Sequence, residues 1–356
     1  MLNSIDWIII GIYMLATLVV GMLVKESAGK GSESFFLADR SLPWWLAGTS
    51  IAATTFSADT PLAIAGIIAN KGIAGNWMWF AVMLSHAAVI FFFAKNWRKS
   101  RVVTDAELLT LRYSGRSAKV LKILRVIIYG GVYNGIVLGW VMKAMVKVVQ
   151  PFFHWKIWFP SFMSWFETFW PKASSLGSAE NGFTIILLVF AVGIYSSMGG
   201  IKAVIYTDFF QFAIALFGSV WLSVSAWDAV GGQNGIIQGL TKWYGNAYQY
   251  IEIFPIGDSL YLGSIGMSFG MLGLYLFIQS FSSMAADGGG YLMQRLGTTK
   301  TPKSAQYSAL LFFFFHYLIR VWPWFICGIA ALILIPKGNE TIILGDVANL
   351  AVNDRE

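Results

Sequence analysis

The sequence is poor in the residues on which catalysis and metal binding most often depend. One cysteine, Cys327, occurs in 356 residues, which excludes an intrachain disulfide and leaves a thiolate metal site without ligands. Three histidines are scattered along the chain and no HExxH is present, so the clustered ligands and acid-base groups of a membrane enzyme are not visible. Charge is scarce as well, with Asp, Glu, Lys and Arg at 12% of residues, where a soluble domain carries about 25%. The glycine run Gly288 to Gly290 lacks both the strand and the Lys-Ser or Lys-Thr that a phosphate-binding loop requires. A hinge or a close backbone contact fits it better.

What is present is apolar. Hydrophobic residues make up 57% of the chain, with 16 tryptophans, 28 phenylalanines and 36 glycines, the profile of an all-α polytopic membrane protein. About eight segments approach the ~20 residues needed to cross the hydrocarbon, near 6–24, 44–69, 76–96, 124–148, 183–199, 205–227, 260–285 and 306–335. The first has no basic residue ahead of it, has Asp6 at its start, and is followed by Lys25 without a convincing cleavage site. It reads as a helix rather than a cleaved signal.

The formal charge of +7 suggests topology rather than nucleic acid, because the basic residues fall in short blocks between apolar runs. With the N-terminus outside, the inner loops hold Lys25, Lys30, Arg40, the block from Lys95 to Arg125, Lys202, Arg295, Lys300 and Lys303, 16 of the 25 basic residues. The outer side holds Lys71, Lys143, Lys147, Lys156, Lys172, Lys242, Lys337 and Arg355, and Arg320 lies within a span. The positive-inside rule favours this orientation, in a cell membrane of the bacterial inner-membrane kind. The outer segment His154 to Trp170 alternates aromatic and polar residues and suits an interfacial helix, with anchoring favoured over gating.

One stretch breaks the apolar pattern: ATTFSADTP, from Ala53 to Pro61. Pro61 has no N–H for the carbonyl of Ser57 and biases Thr60 away from helical geometry, so the helix is expected to loosen over 57–60. Freed backbone groups at membrane depth are tolerated where they line a cavity, and such discontinuous helices build midplane ion and substrate sites. A kink healed by the hydroxyls of Thr54, Thr55 or Ser57 is the structural alternative. Asp59 is an expensive intramembrane carboxylate, read as a proton relay, a cation partner or half of an ion pair with Arg320. His316 lies one turn before Arg320 and shares its face; packing accounts for it better than proton carriage.

The stretch YSSMGGIKAVIYTDFFQ, from Tyr195 to Gln211, resembles the sodium/solute symporter family in its glycine pair, Ala-Val, Thr-Asp and following Gln. Arg40 with SLPWW and the hydroxyl-rich break, TDAELLTLRYSGRS from Thr104, and GGGYLMQRLGTTK from Gly288 are similar to further family segments in the same order. The resemblance implies the LeuT-like fold of inverted five-helix repeats, as a single transmembrane domain over 1–356. Helix 6–24 would lead, 41–229 would form the first repeat, and 259–335 would open the second. No repeat is visible in the sequence itself, so this plan rests on the resemblance.

The same resemblance implies sodium as coupling ion, no other cofactor, and sodium-coupled symport of a small organic solute by alternating access. Sodium would be held by the backbone carbonyls of Ala53 and Phe56, with side-chain oxygens of Thr55 and Ser57 in support. Relatives carry Asp or Asn at position 55, which weakens direct ligation by Thr55. Asp208 matches an aspartate of the inward ion path, and a cap on the helix after GGIK is the alternative. The solute would meet Asp59, Thr60, Asn76, Gln279 and Ser282. Sugar carriers place a carboxylate near position 76, so Asn76 does not support a sugar and the solute stays open, as does the oligomeric state. A signalling protein on a symporter-like domain is the runner-up and would need an output domain. The polar tail after Pro336 cannot span a membrane, and the plan implies three further helices beyond Glu356.

Overall fold

The computed structural model describes residues 3–29, 31–171, 174, 177–254, 261–262, 265–266, 269–283 and 286–336. Lys30, Lys172, Lys337, Arg355 and the tail after Pro336 lie outside the described residues. The rest is almost wholly helical. Five helices are long and apolar enough to cross a membrane, Ser4–Leu23, Ile73–Ser100, Gly115–Val149, Gly199–Ala229 and Pro302–Leu334, with Trp44–Thr54 and Asp59–Lys71 as an interrupted sixth span. Ala179–Ile194 and Gly270–Ser282 are shorter apolar helices. Among the described residues, the eight spans expected from the sequence correspond to five full-length spans, one interrupted span and two shorter apolar helices, and the chain is a multi-pass membrane protein.

Elements needed below are α1 (Ser4–Ala28), α2 (Trp44–Thr54), α3 (Asp59–Lys71) and α4 (Ala179–Ala229), followed by α5 (Phe269–Ser282) and α6 (Tyr291–Gly297). Helix α1 opens on a reciprocal cap, in which Asn3 Oδ1 accepts the Asp6 N–H and Asp6 Oδ2 accepts the Asn3 N–H. This satisfies two of the donors every helix start leaves open. Spans 183–199 and 205–227 are parts of one run, α4, interrupted at Gly200, where φ is 57° and ψ −162°. Of the described residues in the span expected at 260–285, Phe269–Ser282 form α5, while Tyr261–Leu262 pair antiparallel with Ile265–Gly266.

The loosened turn lies earlier than the sequence suggests. Residues 55–58 are the non-helical ones, and Asp59, Thr60 and Pro61 form the first turn of α3. A helix's first turn has no use for its own N–H groups, so proline there starts a helix instead of bending one. Pro323 behaves as a breaker: it cannot donate to the carbonyl of Ile319, and Pro302–Leu334 widens to a π turn at Phe315–Ile319 and bends at 320–321 before resuming at Trp322.

The chain divides into two compact units. The first comprises Met1–Asp59, Val89–Phe212 and Asp287–Phe312, the second Thr60–Ala88, Ala213–Ala286 and Phe313–Glu356. In the first, Ala38, Leu42 and Leu46 at the start of α2 pack on Ile201 and Ile205, just past Gly200. The Leu42 N–H donates to the Thr298 carbonyl and the Lys300 N–H to the Leu42 carbonyl, tying the QR segment to the entrance of α2. Arg98 reinforces the joint through the carbonyls of Thr299 and Lys300. Residues Gly288 to Gly290 form the turn before α6, Gly288 lying against Val89 and Trp97, as expected of a close backbone contact. The segment His154 to Trp170 forms two short helices, Trp155–Trp158 and Pro160–Phe169. It is pinned to α4 by Trp155 Nε1 on Thr184 Oγ1 and the Lys156 N–H on Glu180. Trp7 of α1 meets Phe153 and Trp158 edge-on. In the second unit the core is built from Ile64 and Ile68 of α3, Ile236, Leu240, Phe325, Ile329 and Leu332.

Close approach in the first unit depends on Gly48. A Cβ there would stand 2.7 Å from the Ser308 carbonyl oxygen and 3.1 Å from Leu311 Cβ, and Ser308 Oγ donates to the Trp44 carbonyl at 2.8 Å. Gly48→Val is expected to cost about 1–3 kcal/mol by overpacking. It should appear as a lowered thermal midpoint in detergent, while Gly139→Ala, which meets nothing within 4 Å, leaves the midpoint unchanged.

Candidate functional site

The end of α2 is the most unusual local feature of the first unit. Its final carbonyls have no next turn to receive them, and their summed dipole makes this end negative. The chain satisfies some of them itself. Thr54 Oγ1 donates to the Ser50 carbonyl, and Thr55 Oγ1 to those of Ile51 and Ala52. The Phe56 N–H donates to the Ala53 carbonyl at 2.9 Å, and the Phe56 ring lies edge-on to Phe212 at 6.1 Å. Ser57 donates to Asp59 Oδ1. Thr55 and Ser57 thus direct their hydroxyl protons at neighbours, so neither offers an O–H group in this arrangement.

Asp59 has a structural role beside any functional one. As the first residue of α3 it places a carboxylate at a helix N-terminus, where the dipole favours it. Its Oδ2 accepts Trp140 Nε1 at 3.1 Å. The other candidate solute ligands belong to the second unit and differ in exposure. Thr60 and Asn76 are buried, while Gln279 and Ser282 of α5 are exposed. Asn76 Nδ2 donates to the Ile73 carbonyl, and its buried Oδ1 accepts no bond from a described residue, a vacancy that costs about 1–3 kcal/mol unless water or a ligand fills it. Ser282 Oγ donates a long 3.4 Å bond to the Gln279 carbonyl.

Asp208 does not cap a helix. It lies two turns beyond Gly200, within α4, and its partners are side chains. Ser50 Oγ of α2 donates to Asp208 Oδ2 at 2.5 Å and accepts Arg295 Nε–H of α6 at 3.0 Å. Arg295 Nη2 stands 3.6 Å from the same carboxylate oxygen. Ser50 is fully buried, and Asp208 and Arg295 nearly so. Sequence reading singled out Asp208 and the QR segment separately but missed Ser50. The available signal was a serine one turn before Ala53 on a largely apolar helix.

The histidines are less scattered than their numbers suggest. In the second unit His86 Nδ1 lies 2.7 Å from the Tyr317 hydroxyl, and the His316 ring stacks on Trp79 at 6.2 Å with an interplanar angle of 12°. The rings of His86 and His316 meet edge to face at 5.8 Å. His316 is packed, as expected. Among the described residues no group of three His, Cys, Asp or Glu is placed to hold a metal ion.

The chain is 30% identical to sodium/glucose cotransporter 1 of Oryctolagus cuniculus over 233 residues, 65% of this chain and 31% of that protein. It is 25% identical to the sodium/glucose cotransporter of Vibrio parahaemolyticus over 358 residues, 98% of this chain and 59% of the relative. The chain thus spans about a third of the rabbit protein and well under two thirds of the bacterial one. A solved structure of a Na+-coupled sialic acid symporter, in a substrate-bound outward-open state, superposes with a TM-score of 0.70. That match has 20% identity and covers 96% of this chain and 65% of the other, which establishes the fold expected from the sequence. The sequence model of the sodium:solute symporter family matches residues 35–137 and 176–334, and the chain belongs to that family.

Proposed function

We propose that the protein carries out sodium-coupled symport of a small organic solute by alternating access. The observation that carries this reading is the interruption of an apolar span at residues 55–58, which presents the negative end of α2 inside a membrane domain. Sodium is held by the carbonyls of Ala53 and Phe56. The oxygen-rich chemistry suits a hard cation, because the hydroxyl protons of Thr55 and Ser57 are directed at Ile51, Ala52 and Asp59. Asp208 stands on the inward ion path. Residues 41–229 form the first repeat and 259–335 the opening of the second, in a bacterial-type inner membrane with the N-terminus outside, an orientation that the bias of basic residues supports.

The solute contacts Asp59, Thr60, Asn76, Gln279 and Ser282. Two relatives are sodium/glucose cotransporters and one structural neighbour is a sialic acid symporter, but Asn76 supplies no carboxylate, and no single solute class is favoured. Uptake by proteoliposomes under an imposed sodium gradient, screened over sugars, amino acids, carboxylates and vitamins, identifies it. Sodium is then expected to raise solute affinity, and the solute to raise sodium affinity, by the same factor. Proton-driven uptake indifferent to sodium would refute the reading.

A further inference from the structure

We propose that Arg295 is a built-in competitor for sodium at Asp208, held at a distance by Ser50, so that the inward path carries its own displaceable cation. This rests on the symport reading above. The contact between Arg295 Nη2 and Asp208 Oδ2, at 3.6 Å, is too long for a hydrogen bond. The guanidinium is therefore not forked onto the carboxylate as a tight Arg–Asp pair is. Ser50 intervenes: its single proton goes to Asp208 Oδ2 and its lone pair takes Arg295 Nε–H. Among the described residues, the remaining anchor of Arg295 is a marginal 3.5 Å bond from Nη1 to the Tyr291 carbonyl.

Asp208 is consequently engaged on one side. Its Oδ2 is shared by Ser50 and Arg295, while Oδ1 accepts no bond from a described residue. A nearly buried carboxylate needs one positive charge close by, and a second one beside the first is repelled. A sodium ion arriving at Oδ1 and the guanidinium at Oδ2 are therefore alternatives. Ser50 lies three residues before Ala53, one turn behind the interrupted end of α2, so an ion leaving that end meets Asp208 next. Arg295 belongs to the segment that hydrogen-bonds to Leu42, which couples its displacement to the entrance of the same helix. Arg295 and Ser50 thus act as positioning residues that keep the ion's stay at Asp208 short.

The two variants have opposite signs, which a purely structural triad does not predict. Equilibrium binding of radiolabelled sodium to the purified protein is the primary measurement, with thermal midpoints taken in sodium and in choline. Arg295→Gln is expected to bind sodium at least about fivefold more tightly, and its midpoint should rise on adding sodium more than that of the unsubstituted protein. Ser50→Ala removes the spacer, lets the guanidinium close on the carboxylate, and should weaken sodium binding about threefold or more. Arg295→Lys keeps the charge and should stay within about twofold. Folded Arg295→Gln with unchanged or weaker sodium binding overturns the proposal, as does a Ser50→Ala variant that binds more tightly. Should Arg295→Gln not fold in either salt, the Ser50→Ala and Arg295→Lys results decide. Absence of saturable sodium binding in the unsubstituted protein overturns the symport reading together with this one. Sodium binding there, with shifts of the same sign in both variants, overturns this inference alone.

Discussion

Gly200→Ala is expected to abolish most of the folded protein. Gly200 combines φ 57° with ψ −162°, a region essentially closed to residues with a Cβ. Space is closed as well, because a Cβ would lie 2.7 Å from the Phe35 carbonyl oxygen and 3.3 Å from Phe35 Cα. Backbone strain and overpacking together cost about 3–5 kcal/mol, a large share of the stability of any domain. The same change at Gly218, which is helical and meets nothing within 4 Å, should be neutral or stabilise by up to about 1 kcal/mol. Thermal midpoints and monodisperse yield in detergent compare the two. Equal tolerance would mean that the kink at Gly200 is not needed to aim the following helix.

Asp208→Asn should destabilise the protein by about 3–5 kcal/mol, because it leaves the buried Arg295 guanidinium without its counter-charge. Adding Arg295→Gln to the same chain should restore part of the loss, with an interaction energy of about 0.5–3 kcal/mol in the double-mutant cycle. A helix-cap role for Asp208 predicts the opposite pattern: a smaller loss, untouched by any change at Arg295. Unfolding midpoints of the two single variants and the double variant, measured in choline so that sodium does not stand in for the guanidinium lost in Arg295→Gln, separate the cases.

Much of this architecture is legible from composition and spacing. Apolar length marks the spans because an unsatisfied backbone in hydrocarbon is so costly that a membrane helix must be long, continuous and apolar. The break was legible for a related reason, since hydroxyls, a carboxylate and a proline have no place in an uninterrupted span. Its register was not. Proline loosens the turn before it in a continuing helix but stabilises the first turn of a new one, and only the observed restart at Asp59 chooses between them. Asp59 gained a structural role for the same reason: the sequence offers it as proton relay, cation partner or half of an ion pair, and the structure makes it a helix-start carboxylate bonded to Ser57 and Trp140.

The sequence by itself determined the membrane class, the interrupted helix and the family, because each depends on local composition or on motifs a few residues long. Tertiary structure decided which polar groups meet. Ser50 and Arg295 are 245 residues apart, and His86 and Tyr317 are 231 apart. No periodicity reports such pairings, since they arise when helices pack and a buried polar group takes whichever partner the packing brings within about 3 Å.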